Sequence, residues 1–212
     1  MKKNREKEPE KIWVDFVQEL NLTDEQLEKF QKYTQILEEW NKNINLTAIT
    51  NLGGVVRQHF LDSVALIDFV DLKKSKLIVD IGTGAGFPAI PLKILFPHLD
   101  VILIEVNKKK QKFLHALIEE LNLENVQICD LDWRTFLRTT QADVDFFLTR
   151  AAIGEEELCR MFKPSSAYKN STLVYWVTDE WKVDPKAAEF LKEIKSYKLG
   201  KRQRKLAFFR LN

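Results

Sequence analysis

From residue 77 onward, short apolar runs alternate with amphipathic stretches: LIVDI (77–81), VILIEV (101–106), VQICD (126–130), VDFFLT (144–149) and TLVYWV (172–177). Runs that are apolar throughout, rather than at every second position, belong to strands covered on both faces, and helices between them make those strands parallel. The pattern predicts an α/β fold: a Rossmann-like, mostly parallel sheet with helices on both faces. The closing segments IKSYKL and KLAFFRL are joined by a basic turn containing Gly200 and read as an antiparallel hairpin, which brings the expected strands to seven.

The first third has a different period. From Ile12 to about Val70 the pattern is helical, with Thr23-Asp24 as an N-cap start and Leu27, Phe30, Ile36, Leu37 and Trp40 along one stripe. NLTAITNLGGVV is expected to interrupt this pattern and HFLDSVALIDFV to resume a helix. The expected organisation is a flexible charged tail (1–11), a helical extension (12–72) and one Rossmann-like unit (73–212).

Composition narrows the function classes. The longest apolar runs fall far short of the ~20 residues that span a bilayer, and MKKNREKEPEK has no apolar segment behind its charges. Cys129 and Cys159 form no CxxC pair, and no histidine stands at metal-ligand spacing. The expectation is a cytoplasmic protein with no membrane segment and no metal. No heptad or long exposed apolar helix asks for a protein partner, so a monomer is expected. Net charge is only +2, so affinity for nucleic acid rests on local clusters: Lys108, Lys109, Lys110 and Lys112, and Lys198, Lys201, Arg202, Arg204 and Lys205.

The first strand runs into DIGTGAGFPAIPL. In a parallel sheet the ligand crevice lies beyond the carboxyl ends of the strands, and Gly82, Gly84 and Gly86 fall at that turn. Glycine there permits positive φ and lets a ligand approach the main chain. A dinucleotide fingerprint needs G-x-G-x-x-G, but Phe87 stands at the third glycine position, and no Lys-Ser or Lys-Thr follows at P-loop spacing. Glu105 lies 19 residues beyond Gly86, at the end of the second strand, where a carboxylate can accept both hydroxyls of a ribose. An adenosine-type ligand without a pyrophosphate fits, and S-adenosylmethionine is the leading candidate.

The stretches EEWNKNINLTAI, RQHFLDSV, DIGTGAGFPAIPL, NKKKQKFL, LTRA and the late RKL together resemble the RsmG (GidB) family of 16S rRNA guanine-N7 methyltransferases over nearly the whole chain. The resemblance implies a class I methyltransferase that moves a methyl group from S-adenosylmethionine to N7 of one guanine in a conserved loop of 16S rRNA in the small ribosomal subunit. By position it implies cofactor binding by Asp80, Gly82, Thr83, Gly84, Gly86, Phe87, Glu105 and the Trp133–Arg134 segment. Arg150 matches an arginine at the cofactor and target site, and Lys109, Lys110 and Arg204 match positions that meet RNA. Three positions depart from the family pattern: Pro88-Ala89 for Pro-Gly, Asp132 for a basic residue, and Tyr175-Trp176-Val177 for Leu-Lys-Gly.

No Ser-His-Asp, Cys-His or paired-carboxylate constellation stands out. Methyl transfer to a purine nitrogen needs none, because N7 carries an exposed lone pair and alignment is most of the catalysis. Arg150, after the fourth strand, is expected to position rather than to move protons. Lys109 and Lys110 sit at the start of a helix that Asn107 caps, where cations oppose the macrodipole, so an anion such as RNA phosphate is expected beside them. His59 and Asp62 are read as a hydrogen-bonded pair that positions the extension. Two rival readings are a catalytically weak or inactive cofactor-binding RNA-binding assembly factor and, given the loop alone, a nicotinamide-dependent oxidoreductase.

Overall fold

The structure is a computed structural model. It describes residues 9–150 and 153–211, so most of the expected tail lies outside the described residues. Residues 9–11 are already helical, because Pro9 opens α1 (Pro9–Leu20), the position where a missing N–H does no harm. Helix α2 (Asp24–Asn41) begins with a full capping box: Gln26 N–H donates to the Thr23 hydroxyl oxygen and Thr23 N–H to the Gln26 side chain.

The expected break at 45–56 is shorter than the sequence pattern implied. The Asn51 side chain accepts from Gly54 N–H at 2.7 Å and starts α3 (Leu52–Val55) inside the NLGGVV stretch. The resumed helix is also not uniform: a π-helical turn covers Val56–Leu61, α4 covers Asp62–Val64, and 3₁₀ turns cover Ala65–Asp68 and Leu72–Lys74. Short π segments of this kind are frequent at functional sites, and this one carries His59.

The sheet has seven strands in the order β3-β2-β1-β4-β5-β7-β6. Strands β1 (Leu77–Ile81), β2 (Asp100–Ile104), β3 (Val126–Cys129), β4 (Phe146–Arg150) and β5 (Thr172–Thr178) are mutually parallel. Strand β7 (Arg202–Phe209) runs antiparallel to both β5 and β6 (Leu191–Leu199), as the hairpin reading required. Helices α5 (Ala89–Leu95), α6 (Lys108–Glu120), α7 (Trp133–Thr139) and α8 (Glu155–Leu158) link the parallel strands.

Alternate residues of each strand feed two cores. Ile78, Leu103, Leu148, Val174 and Trp176 join Phe16, Phe30, Tyr33 and Phe60 of the extension together with Leu92, Phe113 and Leu117 of α5 and α6. Val79, Ile81, Phe147, Leu173 and Tyr175 face the other way, onto Trp133, Phe136 and Leu158. The helical extension therefore shares a core with one sheet face. The strand order reverses at β1, which pairs with β2 on one side and β4 on the other; ligands bind at such a switch point, beyond the carboxyl ends of the strands.

Candidate active site

The glycine loop leaves β1 at that switch point. Gly82, Gly84 and Gly86 all have positive φ (68°, 61° and 91°). A Cβ built on Gly84 would meet nothing closer than the Gly82 carbonyl oxygen at 4.0 Å, so the loop is open to approach there. Gly86 is closed instead: a Cβ would lie 2.8 Å from both Ile90 Cγ1 and Tyr33 Oη. Tyr33, from α2, donates its hydroxyl to the Ala85 carbonyl, so the extension holds the loop directly.

Asp80 anchors the loop from below. It is fully buried, and its Oδ2 accepts from the Thr83 hydroxyl at 2.8 Å and from Ala89 N–H at 3.1 Å, while Oδ1 has no hydrogen-bond partner. Burial pushes its carboxyl up to about 7, against the opposing pull of those two donors and of Arg150. Ala89 is itself buried and gives the second of those bonds.

Glu105 follows β2 by one residue and is buried. Its two oxygens accept from Gly84 N–H at 3.1 Å and Asn107 N–H at 2.9 Å, and Gln111 donates to its carbonyl. A carboxylate has about four acceptor sites, so two remain for further donors. Asp80, Gly82, Thr83, Gly84, Gly86 and Glu105 are thus brought together as one hydrogen-bonded unit.

Phe87 closes that unit. Its ring stacks on Tyr33 (centroids 5.3 Å apart, 10°) and on His59 (4.5 Å, 9°), and the Arg150 guanidinium lies 5.3 Å over it. Arg150, the last residue of β4, donates to the Gln58 carbonyl at 3.1 Å, meets His59 Nδ1 at 3.1 Å and pairs with Asp62 at 3.2 Å. His59 Nε2 lies 2.8 Å from the Thr47 hydroxyl. Burial first, and then the Arg150 charge, lower the imidazole to about 4, so it is neutral at pH 7. The expected His59–Asp62 pair is a correction: each reaches Arg150 instead, because the π-helical turn holds His59 and the start of α4 holds Asp62 against the end of β4.

The other expected residues lie around this centre. Trp133 is buried in the cluster that includes Ile81 and Ile104, and Arg134 pairs its side chain with Glu157. Asp132 caps α7, accepting from Arg134 N–H at 3.0 Å and Thr135 N–H at 3.2 Å; helix capping is therefore the physical reason for an acid there. Lys109 and Lys110 occupy the first turn of α6, capped by Asn107, with no acid in that turn. Lys108 differs from them in pairing with Asp130 at 2.9 Å. Arg204 lies away from these lysines, with Nε 3.3 Å from Asp62 Oδ1.

Sequence reasoning missed Tyr33, Gln58, Tyr197 and Trp176. The Trp176 indole donates to the Asp62 carbonyl at 2.7 Å and Tyr197 donates to the Asp62 carboxylate at 2.6 Å. Tyr33 was legible as a member of the α2 stripe, three residues from Phe30 and from Ile36. The contacts of Gln58, Tyr197 and Trp176 span 92 to 135 residues of chain and left no local signal. Among the described residues no group of His, Cys, Asp and Glu could hold a metal, and no helix is long and apolar enough to cross a membrane.

Strand order, antiparallel β7 and the glycine loop at the β1 turn define a class I methyltransferase fold. Solved structures superpose on the chain: the METTL16 MTase domain with a TM-score of 0.55 at 13% identity, covering 96% of this chain and 81% of that one, and a mutant of MtNAS in complex with S-adenosylmethionine with a TM-score of 0.50 at 13% identity, covering 95% and 73%. The family model "GidB: rRNA small subunit methyltransferase G" matches residues 26–207, and the chain belongs to that family. Ribosomal RNA small subunit methyltransferase G of Lactococcus lactis subsp. cremoris is 38% identical over 178 residues, 83% of this chain and 71% of the relative. The Lysinibacillus sphaericus protein of the same name is 46% identical over 107 residues, so the matched stretch spans half of this chain and 45% of that relative.

Proposed function

We propose that the protein transfers a methyl group from S-adenosylmethionine to N7 of a guanine in a loop of 16S rRNA, acting on the small ribosomal subunit or its RNA. The observation that carries the reading is the open face over Gly84 beside the Glu105 carboxylate, which has acceptor capacity left over. Main chain that a ligand can touch, next to an acid able to take two hydroxyls, is what a nucleoside without a pyrophosphate requires. Membership of the family supplies the methyl-transfer chemistry.

In this reading the Gly82–Gly86 loop and Glu105 hold the cofactor, with Asp80 and Thr83 keeping the loop in shape. S-adenosylmethionine supplies an activated methyl on a sulfonium. The chain's own residues then have no proton to move, because guanine N7 is a free lone pair. Their work is orientation: Phe87 is fixed between Tyr33 and His59, and Arg150 is fixed over Phe87 by Asp62 and Gln58. Lys109 and Lys110 receive RNA phosphate, which relieves their conflict with the α6 macrodipole.

The test is transfer of labelled methyl to small subunits, and to their extracted RNA, taken from cells lacking this protein. Label in one RNA segment is expected. Cofactor binding without transfer would contradict the enzyme reading and favour a cofactor-binding RNA assembly factor.

A further inference from the structure

One carboxylate serves two arginines in this protein. Asp62, 4% exposed at its side chain, pairs with Arg150 at 3.2 Å and Arg204 at 3.3 Å, and also accepts from Tyr197 at 2.6 Å. His59 beside them carries no charge at pH 7. Two guanidiniums against one carboxylate leave a positive charge in a partly buried place, with the arginine side chains only 18% and 22% exposed. Uncompensated charge at low solvent access is costly unless an anion completes it.

His59, Asp62, Arg150 and Arg204 line a cleft of about 610 Å³, within the roughly 300 to 1,000 Å³ typical of small-molecule sites. It opens at the carboxyl ends of β4 and β5, next to Phe87 and hence beside the glycine loop. Its lining also holds Asp179, Glu180 and a third arginine, Arg202, which donates to the Gln58 side-chain oxygen at 3.2 Å. Asp179 is neutralised by Lys205 at 3.0 Å, whereas exposed Glu180 has no hydrogen bond or ion pair among the described residues. The cleft is therefore bipolar, lined by Arg150, Arg202 and Arg204 and by one carboxylate, Glu180, that forms no ion pair among the described residues.

We infer that this cleft binds one guanosine 5′-phosphate unit of the RNA, its phosphate on Arg150 and Arg204 and the donor edge of its base on Glu180. A bidentate arginine geometry suits phosphate. Guanine presents N1–H and the N2 amino group side by side, which match the two oxygens of a carboxylate; adenine has an acceptor at N1 and meets the same carboxylate with repulsion. In single-stranded RNA the Watson–Crick edge is free to be read. N7 lies on the opposite edge, so a base held through N1 and N2 leaves N7 clear. Asp62 is the positioning residue that sets the spacing of the two arginines.

This assignment rests on the proposed methylation of an RNA guanine, and the two are tested separately. The whole chain is titrated calorimetrically with guanosine 5′-monophosphate, guanosine and adenosine 5′-monophosphate, at low and at moderate salt. Guanosine 5′-monophosphate is expected to bind at least about tenfold more tightly than either of the others, the equivalent of one well-made contact. Glu180→Gln, a surface change, should erase the preference over the adenine nucleotide, and Arg204→Gln the preference over the nucleoside. Equal binding of the three ligands, or no detectable binding of any, overturns the assignment without need of a variant. If labelled methyl reaches RNA while the three ligands bind alike, the assignment fails and the methylation reading stands. If no methyl moves while the discrimination holds, the failure lies with the methylation reading.

Discussion

Gly84 and Gly86 stand two residues apart with the same sign of φ, yet they should fail in different ways when replaced by alanine. At Gly84 the φ of 61° costs an L-residue about 1 to 2 kcal/mol, and the nearest atom to the new methyl is 4.0 Å away. Gly84→Ala should therefore fold with a stability lower by about 1 to 2 kcal/mol. The methyl would stand where a cofactor approaches the main chain, so affinity for S-adenosylmethionine should fall about tenfold or more. At Gly86 the backbone cost is similar, and the methyl would also lie 2.8 Å from Ile90 Cγ1 and Tyr33 Oη. Overpacking adds about 1 to 3 kcal/mol, and displacing the buried tyrosine hydroxyl from the Ala85 carbonyl adds about 1 to 3 more. Gly86→Ala should lose about 3 to 8 kcal/mol, a large part of the roughly 5 to 15 that hold an ordinary domain together. Urea unfolding measures the first quantity and calorimetric titration with the cofactor the second. A Gly84→Ala protein with undiminished cofactor affinity, or a Gly86→Ala protein as stable as it, would refute the distinction between an open and a packed glycine.

Other positions give sharper readouts of single interactions. The Asp80 carboxyl, raised from 3.8 to about 7 by burial, makes the native state hold a proton that the unfolded chain releases. Its contribution is fully present below about pH 4 and lost as pH rises to about 7, a change on the order of 3 to 4 kcal/mol. The stability of Asp80→Asn relative to the parent should thus climb between pH 4 and pH 7, as read by chemical denaturation across that range; a constant difference would show that the carboxyl is ordinary. Asp132→Ala should cost about 1 kcal/mol through the lost cap and leave RNA affinity unchanged in a filter-binding titration, whereas weakened RNA binding would give the acid a role beyond α7. Changing both Lys109 and Lys110 to glutamine should weaken RNA binding and lower the salt slope by about 2; an unchanged slope would mean that the two lysines meet only water.

What could be read in the chain before its structure follows from the range of the interactions involved. Strands β1, β2, β4 and β5 were legible because a strand covered on both faces must be apolar nearly throughout, while edge strand β3, with Gln127 exposed, and the final hairpin were read from their place in the alternation and from the Gly200 turn. The placement of the loop glycines and Glu105 was legible for a related reason: the turn after β1 requires positive φ, and the βαβ unit fixes the distance along the chain to the end of β2. The helical extension was read only in part. Thr23 announced α2 through local capping, but Asn51 started α3 inside a stretch whose glycines had marked it as a break. Asp132 was noted as a departure from the family when its role is a local cap that D-W-R-T spells out. The cluster around Asp62 was beyond sequence reasoning, since Arg150, Trp176, Tyr197 and Arg204 come from four strands 88 or more residues away.

Methylation at N7 leaves a positive charge on the guanine ring system and makes that nucleotide open to borohydride reduction and aniline scission, which methyl groups elsewhere on the base do not. Small subunits methylated in vitro by this protein with labelled S-adenosylmethionine should yield RNA that breaks at one guanine, in a loop, with all the label at that site. Label that survives without a chain break, or breaks spread over many guanines, would contradict the claim that this chain aligns one N7 with one methyl group.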